Sequence, residues 1–95
     1  MKRQALVIKN QDNVATAITD LPAGKEAVVG IGEETTSILL VQEIALGHKF
    51  AVKEIAKGDD ILKYNCVIGR ATRDIKIGEH AHVQNMESLR GRGDL

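Results

Sequence analysis

One short turn pattern occurs four times in this chain of 95 residues and constrains its fold more than any other feature. Each copy has an acidic residue, an aliphatic residue, two variable residues and a glycine, at residues 20–24, 43–47, 54–58 and 74–78. Glycine at a fixed place in a turn suits a positive φ angle, which a side chain resists. The aliphatic residue can fill the core at a strand end, and the carboxylate can accept local backbone N–H groups. The pattern therefore predicts four similar turns that connect strands.

The segments between these turns are short and rich in aliphatic residues. They predict strands at residues 4–8, 14–19, 27–31 and 37–42, with the polar residues 33–37 as a break, and residues 49–53 alternate as in a half-buried strand. Further strand candidates lie at residues 61–62, 67–68 and 81–83, and no segment shows three turns of an amphipathic helix. The sequence therefore predicts a mostly β module, a single domain over residues 1–86. Residues 87–95, with two glycines and four charged residues, are predicted to be a tail that docks onto a partner.

Composition excludes several classes of function. The chain has 13 basic and 13 acidic residues and two aromatic residues, so it offers neither a cationic surface nor stacking platforms for nucleic acid. It has no apolar run of the roughly 20 residues that span a membrane and no signal-peptide core of about 7–15 apolar residues. We therefore expect a cytoplasmic protein with no nucleic-acid or membrane partner. The single cysteine, Cys66, lies in an apolar run, which favours a small buried residue.

Three histidines are the candidates for chemistry. His48 directly follows the turn glycine Gly47, so it is either a turn residue bonded to a carbonyl or an acid–base group that titrates near neutral pH. His80 and His82 are two residues apart and share one face of a strand. They could bind a metal or an anion, or form an ordinary polar strand face. Two histidines are fewer than the three protein ligands usual for catalytic zinc, so His48 or a partner would have to complete a metal site.

Four basic residues are candidates for binding a carboxylate. They are Lys49, Lys63, Arg70 and Arg73, and arginine is the better suited because its guanidinium forms paired hydrogen bonds. The alternative for each of them is a solvated surface charge.

Several of these motifs together resemble the SAF domain, in the form that accompanies altronate and galactarate dehydratases and sulfolactate sulfo-lyase. The resemblance rests on Gly-His-Lys at residues 47–49, on Lys-Tyr at 63–64, on Ile-Gly-Arg-Ala at 68–71 and on the histidine segment at 80–86. Asp-Asn-Val-Ala at residues 12–15 also matches. Two positions depart from the family, because Gln84 stands where a third histidine is frequent and Asn65 where glycine is common. Asparagine tolerates positive φ better than most residues.

The resemblance implies a β-clip fold, as in type III antifreeze proteins, and a role as the small accessory subunit of a sugar-acid dehydratase. Such a subunit would be inactive alone and would complete an active site with a separate large dehydratase subunit that acts on a small hydroxy acid. His48 would be catalytic, and His80 and His82, with or without His48, would bind a divalent metal, iron by resemblance, shared with the large subunit. Lys49 and Arg70 would bind substrate. The alternatives are the small subunit of sulfolactate sulfo-lyase and a non-catalytic module that binds a sugar acid or a protein partner.

Overall fold

The computed structural model describes residues 2–9, 11–82 and 84–88, and these residues form nine strands and no helix. The strands are β1 (Ala5–Val7), β2 (Val14–Ala17), β3 (Glu26–Ile31), β4 (Glu34–Leu39), β5 (Lys49–Ala51), β6 (Asp60–Lys63), β7 (Cys66–Ala71), β8 (His80–Ala81) and β9 (Met86–Ser88). They build a six-stranded sheet in the order β4-β3-β1-β2-β5-β8 and a three-stranded sheet in the order β6-β7-β9. The prediction of a mostly β module with short strands is therefore confirmed. No helix in the described part of the chain is long and apolar enough to cross a membrane.

Strand β4 differs from the prediction. The sequence placed a break at residues 33–37 and a strand at 37–42, whereas β4 begins at Glu34 and ends at Leu39. A tight turn at Gly32, with φ 61°, returns the chain so that Ile31 pairs with Glu34 and all six residues of β4 pair with β3. Because β4 is the edge of the sheet, its side chains are mostly exposed and polar residues are tolerated there.

The four glycine turns have the predicted conformation. The φ angles of the glycines are 79°, 86°, 91° and 85°, for Gly24, Gly47, Gly58 and Gly78. The aliphatic residue of every turn is at most 2% exposed, and the turns pair through two isolated bridges, Leu21 with Ile44 and Ile55 with Ile75. The repeated turn is therefore a connector that also fills the core.

In each pair of turns, one acidic residue of the pattern accepts a hydrogen bond from the other turn, where we had predicted local bonds. Asp20 accepts a hydrogen bond from the backbone N–H of Leu46 (2.8 Å), and Asp74 accepts one from Lys57 (2.9 Å). The acceptor and the donor belong to the two turns that the aliphatic bridge joins. The partner of each of these carboxylates is therefore set by the long-range pairing of the turns, which the spacing within one turn could not show.

The apolar interior consists of two clusters, one for each pair of turns. Phe50 is fully buried in the first cluster with Leu21 and Ile44, and Ile55 and Ile75 lie in the second. The predicted buried position of Cys66 is wrong, because its side chain is exposed on β7.

The predicted tail begins inside a strand. Glu87 and Ser88 belong to β9, which pairs with β7 through Arg70–Glu87 and Gly69–Ser88. The rest of that tail, residues 89–95, lies outside the described residues.

Candidate functional site

The three histidines come together at one edge of the larger sheet, in what we call the histidine cluster (His48, His80 and His82). Strands β5 and β8 are antiparallel with Phe50 opposite His80, and continuing this register places His48 opposite His82. The ring centroids are 5.1 Å apart for His48 and His80, 5.5 Å for His48 and His82, and 5.3 Å for His80 and His82. The predicted proximity of His80 and His82 is therefore observed, and His48 is the third member.

Two rings of the cluster make a direct hydrogen-bond contact. His48 Nδ1 lies 3.0 Å from His80 Nε2, so one ring donates a proton and the other accepts it. Burial lowers the pKa of His80, and His48, His82 and Lys49 lower it further by repulsion. His80 therefore favours its neutral form, in which a ring nitrogen can accept a proton. The pair can hold a proton and pass it between the two rings.

A set of polar side chains fixes the backbone of the histidine segment. Asn85 is fully buried; its Oδ1 accepts from the N–H of His82 (3.0 Å) and its Nδ2 donates to the carbonyl of His80 (2.7 Å). Gln42 Oε1 accepts from the N–H of His80 (2.9 Å), and Gln84 Nε2 donates to its carbonyl (3.1 Å). We did not predict the role of Asn85, although an asparagine three residues after His82 is a sequence signal for such a side-chain-to-backbone bond.

The repeated turn explains why His48 is free to join the cluster. In three of the four turns the residue after glycine donates its N–H to a carbonyl three residues earlier: His48 to Ala45, Asp59 to Ala56 and Glu79 to Lys76. In two of them the side chain also accepts a bond within the turn, since Asp59 Oδ2 binds the N–H of Ala56 and Glu79 Oε1 that of Lys76. The His48 ring contacts His80 instead. The backbone bond is common to the three turns, whereas the side-chain contact of His48 is directed to the cluster.

The histidine cluster does not by itself fit a metal ion. Within residues 2–9, 11–82 and 84–88, no group of three or more His, Cys, Asp or Glu side chains is arranged to hold one. His80 and His82 stack with an interplanar angle of 12°, so their in-plane lone pairs run alongside one another and do not converge on one point. The nitrogens of His48 and His80 already face each other at hydrogen-bond distance. Metal binding by these histidines stays a prediction, and the metal would need further ligands from outside the described residues.

A cleft of about 340 Å³ opens between the two sheets and is called the lysine cleft here. Its lining residues are Lys49, Lys63, Tyr64, Ile68, Ala81, His82, Met86 and Ser88. Burial lowers the pKa of Lys49, and the nearby charge of Lys63 lowers it further. His82 belongs to both the cleft and the histidine cluster, so the two are adjacent. Lys49, a predicted substrate-binding residue, thus lies in a cleft of a size typical for small ligands.

Asp12 and Asn13 hold one wall of the lysine cleft in place. Tyr64 and Asn65 form the two-residue turn between β6 and β7, and both have positive φ angles, 56° and 57°. Asp12 is 1% exposed and accepts hydrogen bonds from the N–H groups of Tyr64 (2.9 Å) and Asn65 (2.7 Å). Asn13 bonds the N–H of Leu62 with its side-chain oxygen. Asn65 therefore adopts the positive φ that we expected an asparagine at this position to tolerate.

Two arginines considered from the sequence lie elsewhere. Arg70 is exposed on β7 and is not among the described lining residues of the lysine cleft. Arg73 donates two hydrogen bonds to the carbonyl of Gln84, of 3.0 Å from Nε and 2.6 Å from Nη2. Arg73 thus supports the histidine segment. Substrate binding by Arg70 stays a prediction, and the fold does not place this residue in the lysine cleft.

Residues 3–89 match the sequence family described as the altronate/galactarate dehydratase SAF domain. The chain belongs to this family. The SAF chain is 43% identical to altronate dehydratase of Escherichia coli (strain K12) over 82 residues, which cover 86% of this chain and 16% of that enzyme. It is 42% identical to altronate dehydratase of Bacillus subtilis (strain 168) over 81 residues, again 16% of the enzyme's length. The resemblance inferred from the motifs is therefore confirmed.

A second group of relatives is much shorter. The alpha subunit of (2R)-sulfolactate sulfo-lyase from Chromohalobacter salexigens is 34% identical over 58 residues, 61% of this SAF chain and 62% of the subunit. The SAF chain thus spans 16% of the length of the two altronate dehydratases but most of the length of a separate lyase subunit.

Proposed function

We propose that this chain is the SAF part of a hydroxy-acid lyase of the altronate/galactarate dehydratase type, and that it contributes His48 to an active site completed by a larger catalytic polypeptide. The observation that carries the proposal is the 3.0 Å contact between His48 Nδ1 and His80 Nε2. The turn forms its backbone hydrogen bond with other residues after the glycine, so the turn does not require this histidine contact. The relatives support the size of the partner, because the matched region is 16% of the altronate dehydratases.

Elimination of water from a polyhydroxy acid removes a proton next to the carboxylate and a hydroxide from the neighbouring carbon. In this proposal the His48–His80 pair holds or moves that proton, since a histidine near its pKa serves as acid and as base. His82 of the cluster and the adjacent Lys49 both line the lysine cleft and orient the acid. Any divalent metal would take further ligands from the catalytic polypeptide.

The test uses a complex of this chain with a large catalytic dehydratase polypeptide. His48→Asn should lower turnover by about 10²-fold or more, the usual lower scale for loss of a proton-transfer group, with a nearly unchanged melting temperature. Asp59→Asn is the matched control, because Asp59 is also the residue after a turn glycine but lies outside the cluster. It should keep turnover. A His48→Asn complex with full activity and lowered stability would show that His48 is only a turn residue.

A sulfo-lyase function is the second candidate. It is supported by two relatives that are alpha subunits of (2R)-sulfolactate sulfo-lyase and that match this chain over 62% and 72% of their own length. Assaying the same complex on altronate, galactarate and sulfolactate separates the candidates, since only the sulfo-lyase releases sulfite. A chain that binds a sugar acid but activates no catalytic polypeptide would instead be a non-catalytic binding module.

A further inference from the structure

The lysine cleft gathers positive charge from both sheets. Lys49 comes from β5 of the larger sheet and Lys63 from β6 of the smaller one, and both side chains are half-buried where they line the cleft. Two ammonium groups that share a partly buried space repel each other, at an energetic cost that a bound anion would relieve. A ligand with two negative charges would relieve more of it than a ligand with one.

The other walls of the lysine cleft suit a small organic acid. Ile68, Ala81 and Met86 give an apolar lining, while Tyr64, His82 and Ser88 bring polar atoms. The Lys63 ammonium lies 5.3 Å from the centroid of the Tyr64 ring, so that ring helps to hold the ammonium at the cleft. A volume of about 340 Å³ is at the small end of ligand sites.

We propose that the lysine cleft is a binding site for small dianionic hydroxy acids, with Lys49 and Lys63 as the two cationic contacts. The choice of acids rests on the proposed function. The matching family is described by altronate and galactarate, a relative is named for sulfolactate, and these acids differ in charge. Galactarate carries two carboxylates and sulfolactate carries a carboxylate and a sulfonate, whereas altronate carries one carboxylate. The site discriminates by charge and so selects dianions over altronate.

The experiment is a calorimetric or NMR titration of the full chain, without any partner, with galactarate, sulfolactate and altronate at neutral pH and low salt. The affinity for galactarate and for sulfolactate should be at least about tenfold higher than the affinity for altronate, the factor that one extra favourable charge interaction supplies. Added salt should reduce this preference, because partly exposed charges are screened. The amide signals that shift should be those of Lys49, Lys63, Tyr64 and Met86.

Matched variants test the role of the lysines. Lys63→Met should remove the preference for dianions, whereas Lys57→Met makes the same change of charge on an exposed turn outside the cleft and should preserve it. Absence of saturable galactarate binding at millimolar concentration would overturn the proposal. Equal affinities for galactarate and altronate, or equal effects of the two variants, would overturn it as well.

The two proposals can fail separately. If the chain binds no dianion while His48→Asn still abolishes turnover of the complex, the lysine-cleft site is refuted and the proposed function stands. If dianions bind with the expected preference but His48→Asn turns over normally, the proposed function is refuted and the site stands.

Discussion

Replacement of Asp12 by asparagine tests how the chain holds the hairpin that carries Lys63 and Tyr64. Both carboxylate oxygens of Asp12 are engaged: Oδ1 accepts from Asn65 N–H at 2.7 Å, and Oδ2 accepts from Tyr64 N–H at 2.9 Å and Lys9 N–H at 3.2 Å. Asparagine has nearly the same shape but replaces one oxygen with an NH₂ group. In either orientation of the amide, at least one backbone donor then faces another donor.

The expected cost follows from these contacts. Leaving one buried donor unpaired costs about 1–3 kcal/mol, and the bonds that remain lose their charge assistance. We therefore expect Asp12→Asn to lower the free energy of unfolding by about 2–4 kcal/mol, a large part of the roughly 5–15 kcal/mol typical of a whole domain. The variant should also bind galactarate more weakly, because the turn between β6 and β7 positions one wall of the lysine cleft.

The measurement is urea unfolding of the wild type, Asp12→Asn and the control Asp60→Asn. Asp60 is exposed at the start of β6, and its replacement should change stability by less than about 0.5 kcal/mol. If Asp12→Asn and Asp60→Asn were equally stable, the buried carboxylate would not be what holds the positive-φ turn, and our account of the hairpin would be wrong.

Two turn glycines and His80 give the remaining predictions. Gly47→Ala should cost about 1–2 kcal/mol from the positive φ alone, because its Cβ would meet nothing within 4 Å. Gly78→Ala should cost about 1–3 kcal/mol more, because its Cβ would overlap the carbonyl oxygen of Leu39; equal melting temperatures would contradict this difference. The pKa of His80 in the folded chain is lowered from its ordinary value of 6.5. The unfolded chain therefore binds a proton at this histidine more readily than the folded chain does, and the free energy of unfolding should fall as the pH drops below about 6.5. The melting temperature of His80→Asn should depend less on pH in that range, and an unchanged pH dependence would argue against His80.

The local conformation of the chain could be predicted from sequence, because it depends on residues that are close together. The positive φ of Gly47 and Gly78 and the burial of Ile44 and Ile75 follow from a five-residue pattern in which glycine has the conformational freedom and the aliphatic residue has the apolar surface. The positive φ of Asn65 was also predictable, because asparagine tolerates this conformation better than most residues. The family could also be recognised, because its motifs are short and contiguous.

The site depended on tertiary structure. His48 is the first residue after its turn glycine and His80 the second after its own, so the repeat assigns them different positions, and only the antiparallel pairing of β5 with β8 joins rings 32 residues apart. The same holds for Lys49 and Lys63, which line one cleft although they belong to different sheets. Cys66 shows the converse, since its apolar neighbours in sequence suggested a buried thiol, yet its side chain is exposed on β7. Strand pairing is selected by burial summed over the whole molecule, so no short segment of sequence contains it.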